Sequence, residues 1–219
     1  MPFALPFLSR GQLAAGLEPL SPEPLDERAL DALYAHYQEL GRWNRRLSLI
    51  GPGTAGEILG RHYGEALAAL PLIPGEARTA VDAGSGAGFP GLVIAAARPG
   101  LAMTLVEAQE RKWSFLLAAA RRASLPCQCL NVRVQVPLPP GLPEIFDIVT
   151  VRALKLEPDV LGALAGRLSP GGRILLWVGE HDPDLPPGLA AGASVRLAGS
   201  VRRRILEVRQ APSAARKLM

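Results

Sequence analysis

Val81-Asp82-Ala83-Gly84-Ser85-Gly86-Ala87-Gly88-Phe89-Pro90-Gly91 is the stretch that decides how this chain folds. Thr79 to Val81 bring β-forming residues to the end of a buried strand. Gly84, Gly86 and Gly88 alternate behind it, and a residue without a Cβ lets the backbone turn tightly and approach a ligand. Pro90 suits a first helical turn, where its missing amide hydrogen is not needed. Leu92, Val93, Ile94 and Ala95 then carry the helix onward. Strand, glycine turn and helix place a crevice at the carboxyl end of the strand, where open α/β sheets bind nucleotides. The stretch therefore predicts a site for a nucleotide-like cofactor.

Two cofactors compete for this loop. Gly86-x-Gly88-x-x-Gly91 has the spacing of the dinucleotide fingerprint, which points to NAD(P) and an oxidoreductase. Asp82-x-Gly84-x-Gly86-x-Gly88 instead resembles motif I of the class I S-adenosylmethionine (AdoMet)-dependent methyltransferases. A dinucleotide loop sets its first glycine directly after the strand, with no acid just before it. Here Asp82 occupies the strand end and Gly86 arrives late. An acid at that place suits a cofactor with an ammonium group and no pyrophosphate. The next apolar run, Leu101 to Val106, is followed by Glu107, placed to accept hydrogen bonds from ribose hydroxyls. The competing role for Glu107 is a helix-start acid that stabilises the amides of Gln109 to Arg111.

Composition bounds the rest. The chain has 219 residues, 48% of them hydrophobic, enough for one good core and a small appendage. Its net charge of +4 permits nucleic acid as a partner without requiring it. Lysine is confined to Lys112, Lys155 and Lys217, so arginine carries the basic charge. Cys127 and Cys129 are the only cysteines; they read as two buried apolar thiols on one side of a strand, and they predict neither a zinc site nor a disulfide framework. His36, His62 and His181 show no metal spacing, and His62 falls on the apolar face of its helix. With no secretory signal and no apolar run long enough for a membrane span, the expected setting is the reducing cytoplasm. No metal is expected.

Along the chain, residues 1 to about 20 read as loosely structured, with Met1 to Leu8 able to pack on the body. A helix is predicted from near Ser21-Pro22-Glu23, with Leu30, Leu33, Tyr34, Tyr37, Leu40 and Leu47 at helical spacing. Thr54-x-x-Glu57 predicts a capping box that opens a second helix. The predicted strands are 79–83, 102–106, 127–132, 146–151 and 173–178, and the predicted helices are about 90–98, 109–124 and 156–168. Ser169-Pro170-Gly171-Gly172 reads as a sharp turn before the fifth strand. Two more strands, 194–198 and 203–209, close the chain. The fold class is thus α/β: a doubly wound, Rossmann-like sheet of seven strands. A terminal antiparallel hairpin on such a sheet is the usual ending of a class I methyltransferase. The expected division is a helical extension over residues 1–75 and an AdoMet-binding domain over residues 76–219.

From about Tyr34 to Arg209 the chain resembles the ribosomal small-subunit methyltransferase G proteins, also called glucose-inhibited division protein B. The resemblance rests on Arg42-Trp43-Asn44-Arg45, on Asp82 to Gly91 with its Gly-Phe-Pro-Gly ending, on Leu105-Val106-Glu107-Ala108 with Arg111-Lys112, and on Val151-Arg152-Ala153. It implies methyl transfer from AdoMet to N7 of one guanine of 16S rRNA in the small ribosomal subunit; a monomer is expected. It implies that Asp82, Gly84, Gly86, Gly88 and Phe89 form the cofactor loop, that Glu107 holds the ribose, and that Val134 and Gln135 lie beside adenine. Arg152 would face both the cofactor and the target base, as the residue on which catalysis turns.

Arg42, Arg45 and Arg46 are the leading RNA-contact cluster; Arg121 with Arg122, and Arg202 to Arg204, are others. Trp43 reads as a core anchor of the front helix. The chain departs from the family pattern at Ser48-Leu49-Ile50, at Gly64-Glu65 after His62, at Gln135 in place of an acid, and at Val178-Gly179 in place of Lys-Gly. A methyltransferase with another substrate, or one that has lost it, is the alternative those departures keep open.

Overall fold

The computed structural model describes residues 4–54 and 56–211. Met1 to Phe3 of the predicted amino-terminal packing, and Lys217, lie outside the described residues. Seven strands form one sheet in the order β3-β2-β1-β4-β5-β7-β6. β1 (Thr79–Ala83), β2 (Ala102–Val106) and β4 (Phe146–Val151) have the expected bounds, while β3 contracts to Gln128–Leu130. These four and β5 (Leu168–Val178) run parallel. β6 (Leu189–Arg196) and β7 (Arg204–Gln210) complete the sheet as an antiparallel hairpin. α4 (Gly91–Ala97) and α5 (Glu110–Arg122) cover one face together with the amino-terminal helices; α6 (Pro158–Ala165) covers the other. Both faces of β1 are therefore buried, as a central parallel strand requires.

Three local expectations are corrected. Residues 10–17 form a helix instead of a loose segment: α1 (Arg10–Leu17) is opened by a capping box in which Ser9 Oγ accepts from Gln12 N and the Gln12 side chain accepts from Ser9 N. That Ser-x-x-Gln signal is present in the sequence. α1 buries Leu13 and Leu17, and Leu5 and Leu8 pack on the same core. α2 (Glu27–Asn44) starts later than predicted, where Asp26 accepts from Ala29 N at 2.7 Å. The prolines at 22 and 24 lie before this cap and outside the helix. The Thr54 capping box does not form. Thr54 Oγ1 lies 3.1 Å from the Gly51 carbonyl and 3.0 Å from His62 Nε2, so it is already engaged, and the chain proceeds through a π-helical segment, Leu59–Gly64, into the short α3 (Glu65–Leu67).

The sheet corrects two more. Ser169 to Gly172 are not a turn ahead of the fifth strand but part of β5, whose pairing with β4 slips between Phe146 and Ile148. The extra residues are taken up as a bulge: Gly171 has φ +81°, and a Cβ on Gly172 would stand 2.9 Å from the Ser169 carbonyl. Asp147 fastens this edge, accepting from Arg78 N at 2.7 Å and from Ser169 Oγ at 2.5 Å. Cys127 and Cys129 are half-buried rather than buried, at the sheet edge where β3 is short; burial still pushes their thiols up, to about 12 and about 11.

Candidate active site

The site grows from the carboxyl ends of β1, β2 and β4. β1 stops at Ala83, and Gly84 (φ +76°), Gly86 (φ +53°) and Gly88 (φ +82°) turn the chain in backbone conformations that favour glycine. Gly84 N and Ser85 N both donate to the Val106 carbonyl at 2.9 Å, which ties the turn to the end of β2. Asp82 lies opposite Thr150 in the β1–β4 register, and Thr150 Oγ1 donates to Asp82 Oδ1 at 2.6 Å. Gly91 N donates to Asp82 Oδ2 at 3.2 Å, so the same carboxylate holds the start of α4. Burial pushes Asp82 up to about 6 against these bonds.

A cavity of about 640 Å³ opens above these strand ends. Of the residues singled out in the sequence, Gly84, Gly86, Phe89, Glu107, Val134, Gln135 and Arg152 line it. Asp82 and Gly88 do not. Asp82 is buried beneath the loop with each carboxylate oxygen already bonded, which replaces the expected contact with a cofactor ammonium group by a brace under the loop. Gly88 is packed: a Cβ there would stand 2.6 Å from Leu92 Cδ1 and 3.1 Å from His36 Nε2.

Glu107 fills the helix-start role weighed for it and also lines the cavity. Its Oε2 accepts from Gly86 N at 2.9 Å, and its Oε1 accepts from Gln109 N at 2.8 Å, at the start of α5. A carboxylate has about four acceptor directions, so acceptor capacity remains on the cavity wall. Asn131 Nδ2 donates to the Glu107 carbonyl at 3.0 Å and fixes the backbone behind it.

Arg152 ends β4 and lies 6.0 Å from the centre of the Phe89 ring. Its Nη2 donates to Glu65 Oε2 at 2.9 Å and to the Arg61 carbonyl at 2.5 Å. Burial, and after it the charge of Arg61, lower its pKa to about 10. Ala153, the next residue, has φ +55°, a strained value for a side chain with a Cβ, at the cavity edge. His62 was expected to be packed; it is half-buried and faces the cavity, 5.0 Å from the Phe89 ring centre. Burial and then the cations Arg152 and Arg61 hold it neutral, lowering its pKa to about 3. His36, fully enclosed, bonds Tyr63 Oη at 2.8 Å and the Ala87 carbonyl at 2.9 Å, and burial lowers it to about 4. Leu49, Ile50, Lys112 and Leu154 also line the cavity, and sequence spacing does not point to them because they come from separate segments.

Arg42, Arg45 and Arg46 lie elsewhere, on a larger cavity of about 890 Å³ beside α2, together with Tyr34, Trp43 and Arg111. Size does not locate the cofactor here, because no residue at the strand ends lines this cavity. It adjoins the smaller one through α5, whose Arg111 and Lys112 face one cavity each. Arg42 is tied to Glu39 at 3.2 Å. Trp43 packs partly buried against the core, 6.0 Å from the Phe115 ring centre. Among the described residues, no group of three His, Cys, Asp or Glu side chains could hold a metal ion, and no helix is long and apolar enough to cross a membrane.

The sheet order, the terminal hairpin and the cavity at the strand ends define a class I AdoMet-dependent methyltransferase fold. Solved structures with this fold include TrmN from Thermus thermophilus, at TM-score 0.51 and 22% identity over 70% of this chain and 53% of that one. They also include MtNAS in complex with MTA and tNA, at TM-score 0.57 and 16% identity over 84% of this chain and 70% of that one. The family model for rRNA small subunit methyltransferase G matches residues 29–185. Ribosomal RNA small subunit methyltransferase G of Acidiphilium cryptum is 38% identical, covering 78% of this chain and 81% of the relative. That of Desulfotalea psychrophila is 37% identical, covering 90% of this chain and 87% of the relative. The chain belongs to the rRNA small subunit methyltransferase G family and is a methyltransferase. The dinucleotide reading of Gly86-x-Gly88-x-x-Gly91 falls with that result: Gly88 is packed, and the Gly91 amide is bound to Asp82.

Methyltransferases of this class use S-adenosyl-L-methionine, and the cavity fits it. At Gly86 an added Cβ would meet only the Gly84 carbonyl, at 3.8 Å, so the loop leaves open the space that a side chain would fill. Glu107 offers acceptors for ribose hydroxyls, and Val132 and Val134 offer an apolar wall.

Proposed function

We propose that the protein methylates N7 of a guanine in 16S rRNA of the small ribosomal subunit, with S-adenosyl-L-methionine as methyl donor. The observation that carries this reading is the convergence of Glu107, the Gly84–Gly86 turn, Val134–Gln135 and Arg152 on one cavity, in a chain of this family. When bound, the cofactor supplies an electrophilic methyl group. Glu107 holds the ribose hydroxyls, while its bonds to Gly86 N and Gln109 N fix the orientation of the carboxylate. Val134 and the amide of Gln135 bound the adenine side. Asp82 acts from below by holding the loop through Gly91 N and Thr150.

Guanine N7 carries a lone pair and no proton, so its attack needs no general base; alignment is the main requirement. Arg152 keeps its proton, and its task is to orient the base or its phosphate beside Phe89. His62, neutral and next to Phe89, adds no competing charge where positive charge moves. A stacked guanine must be turned out of its helix to enter such a cavity. Arg42, Arg45 and Arg46 would contact RNA farther along the surface.

The experiment is methyl transfer from labelled AdoMet to unmodified small subunits and to their naked RNA, followed by mass spectrometry of the modified base. Label as 7-methylguanosine at one site is the expected result. Label on a different base, or none from a protein that binds AdoMet, overturns the proposal.

A further inference from the structure

Glu65, in α3, is buried, and three guanidinium groups converge on it. Arg152 Nη2 reaches its Oε2 at 2.9 Å, Arg61 Nε lies 3.5 Å from its Oε1, and Arg203 pairs with the same Oε1. The three come from the end of β4, the π-helical segment and the residue before β7. Trp177 Nε1 donates to the Glu65 carbonyl at 3.0 Å and pins the carboxylate's own backbone. One carboxylate thus answers three cations in direct contact, and two positive charges are left over. Two other acids are felt at longer range: Asp82 by Arg152, and Glu57, which is exposed, by Arg203. Neither forms an ion pair with these arginines among the described residues. Arg61 lowers the pKa of both Arg152 and Arg203, a sign that the cations repel one another.

Such a cluster is poorly designed as a brace alone, because partly buried like charges cost stability unless an anion balances them. The open faces show where that anion would come from. Arg152 lines the cofactor cavity, and its Nη1 is buried with no hydrogen-bond partner. Arg61 and Arg203 do not line that cavity, and their side chains keep 38% and 26% exposure. An anion bridging them would come from solvent and sit beside Arg152, which shares Glu65 with them and lines the cavity. Guanidinium forks match phosphate oxygens in shape as well as charge.

We propose that Arg61 and Arg203, seated on Glu65, form a phosphate site that anchors the RNA backbone beside the target guanosine. The inference rests on the guanine-N7 reading above. The two arginines are positioning residues: the clamp fixes where the nucleotide enters, and Arg152 orients what enters.

The test uses the full chain with Arg61→Ala, Arg203→Ala, the double variant and Arg203→Lys. Affinity for unmodified small subunits is measured across a salt series, beside AdoMet affinity, methylation kinetics and thermal unfolding. The double variant is expected to bind the subunit at least about tenfold more weakly, with the slope of log affinity against log salt smaller by about one. AdoMet affinity stays within about twofold, and the loss in kcat/KM falls mainly on KM. Arg203→Lys keeps the salt slope and loses part of the affinity, since a point charge replaces the fork. Unchanged subunit affinity and slope in the double variant, whatever its melting temperature, overturns the proposal. Weaker AdoMet binding with an unchanged salt slope also overturns it, and assigns the arginines to the cofactor's carboxylate instead. A wild-type protein that yields no 7-methylguanosine defeats the guanine-N7 reading; an active wild type with unaffected variants defeats only the phosphate site.

Discussion

Asp82 and Glu65 are both buried carboxylates at the same active site, and they are satisfied in opposite ways. Asp82 is held by neutral donors, the Thr150 hydroxyl and the Gly91 amide, and its negative charge is only partly compensated. Glu65 is held by cations, and its charge is overcompensated. The first arrangement closes on itself and makes a rigid floor under the cofactor loop. The second leaves charge facing outward, toward a polyanion. The site thus has an inner edge that is built to be still and an outer edge that is built to attract.

The largest expected effect strikes the inner edge. Asp82→Ala leaves the Thr150 hydroxyl and the Gly91 amide without their acceptor, a cost of about 2–4 kcal/mol for buried unpaired groups. Thermal unfolding should show that loss, and calorimetry should show AdoMet affinity down by about two orders of magnitude because the loop is no longer held. A stable variant that binds AdoMet normally would break the contrast, since Asp82 would then not be the floor.

Next in size is acid sensitivity. His36 and His62 have folded pKa values of about 4 and about 3, below the value of about 6.5 for an unfolded histidine. Their folded pKa values are depressed, so the stability tied to their neutral forms is fully present above about pH 6.5. It is lost as pH falls from there toward pH 4 and pH 3, because the unfolded chain takes up protons that the folded one refuses. The loss is on the order of a few kcal/mol, and urea unfolding from pH 7 to pH 4 measures it. Asp82 works in the reverse sense. Its folded pKa is raised to about 6, so it favours the folded state most below about pH 3.8 and loses that advantage as pH rises through about 6. His36→Asn should flatten the acid limb, and an unchanged limb would place the sensitivity elsewhere.

Glu107→Gln comes third. It keeps the shape but exchanges a charged acceptor for a neutral amide against Gly86 N and the ribose, a loss of about 1.5–2 kcal/mol that reads as AdoMet affinity lowered by roughly tenfold to thirtyfold. RNA affinity measured without cofactor should not change. The smallest effect belongs to the most exposed charges. Arg45→Glu with Arg46→Glu should weaken small-subunit binding severalfold at low salt while leaving AdoMet affinity intact, because exposed charges are screened. Equal subunit affinity at fixed salt would remove Arg45 and Arg46 from the RNA contact.

The inner edge was far more legible in the sequence than the outer one. Motif I, Glu107 and Arg152 each follow a strand whose bounds can be read from apolar runs, and a parallel sheet brings strand ends to one place. The misreadings came where side chains answered a partner distant in sequence. Thr54 and His62 bind each other instead of capping and packing a helix. Ser169 to Gly172 pair with β4 as a bulge because Asp147 holds Ser169 there. Asp82 looked like a ligand to the cofactor because a strand-end acid says nothing about Thr150 across the sheet. The amino-terminal helix was missed although Ser9 and Gln12 announced it, since its helix is short and its apolar face is narrow.

From the sequence alone came the sheet, its glycine turn, the acid after β2 and the family, because local patterns of burial and backbone freedom are written in neighbouring residues. Only the tertiary structure decided which charges are consumed and which are left over. Glu65 meets Arg61, four residues before it, and Arg152 and Arg203 from two distant segments, and no spacing along the chain records that three cations share one carboxylate. Electrostatic balance is a property of distances in space, and those exist only once the chain has folded.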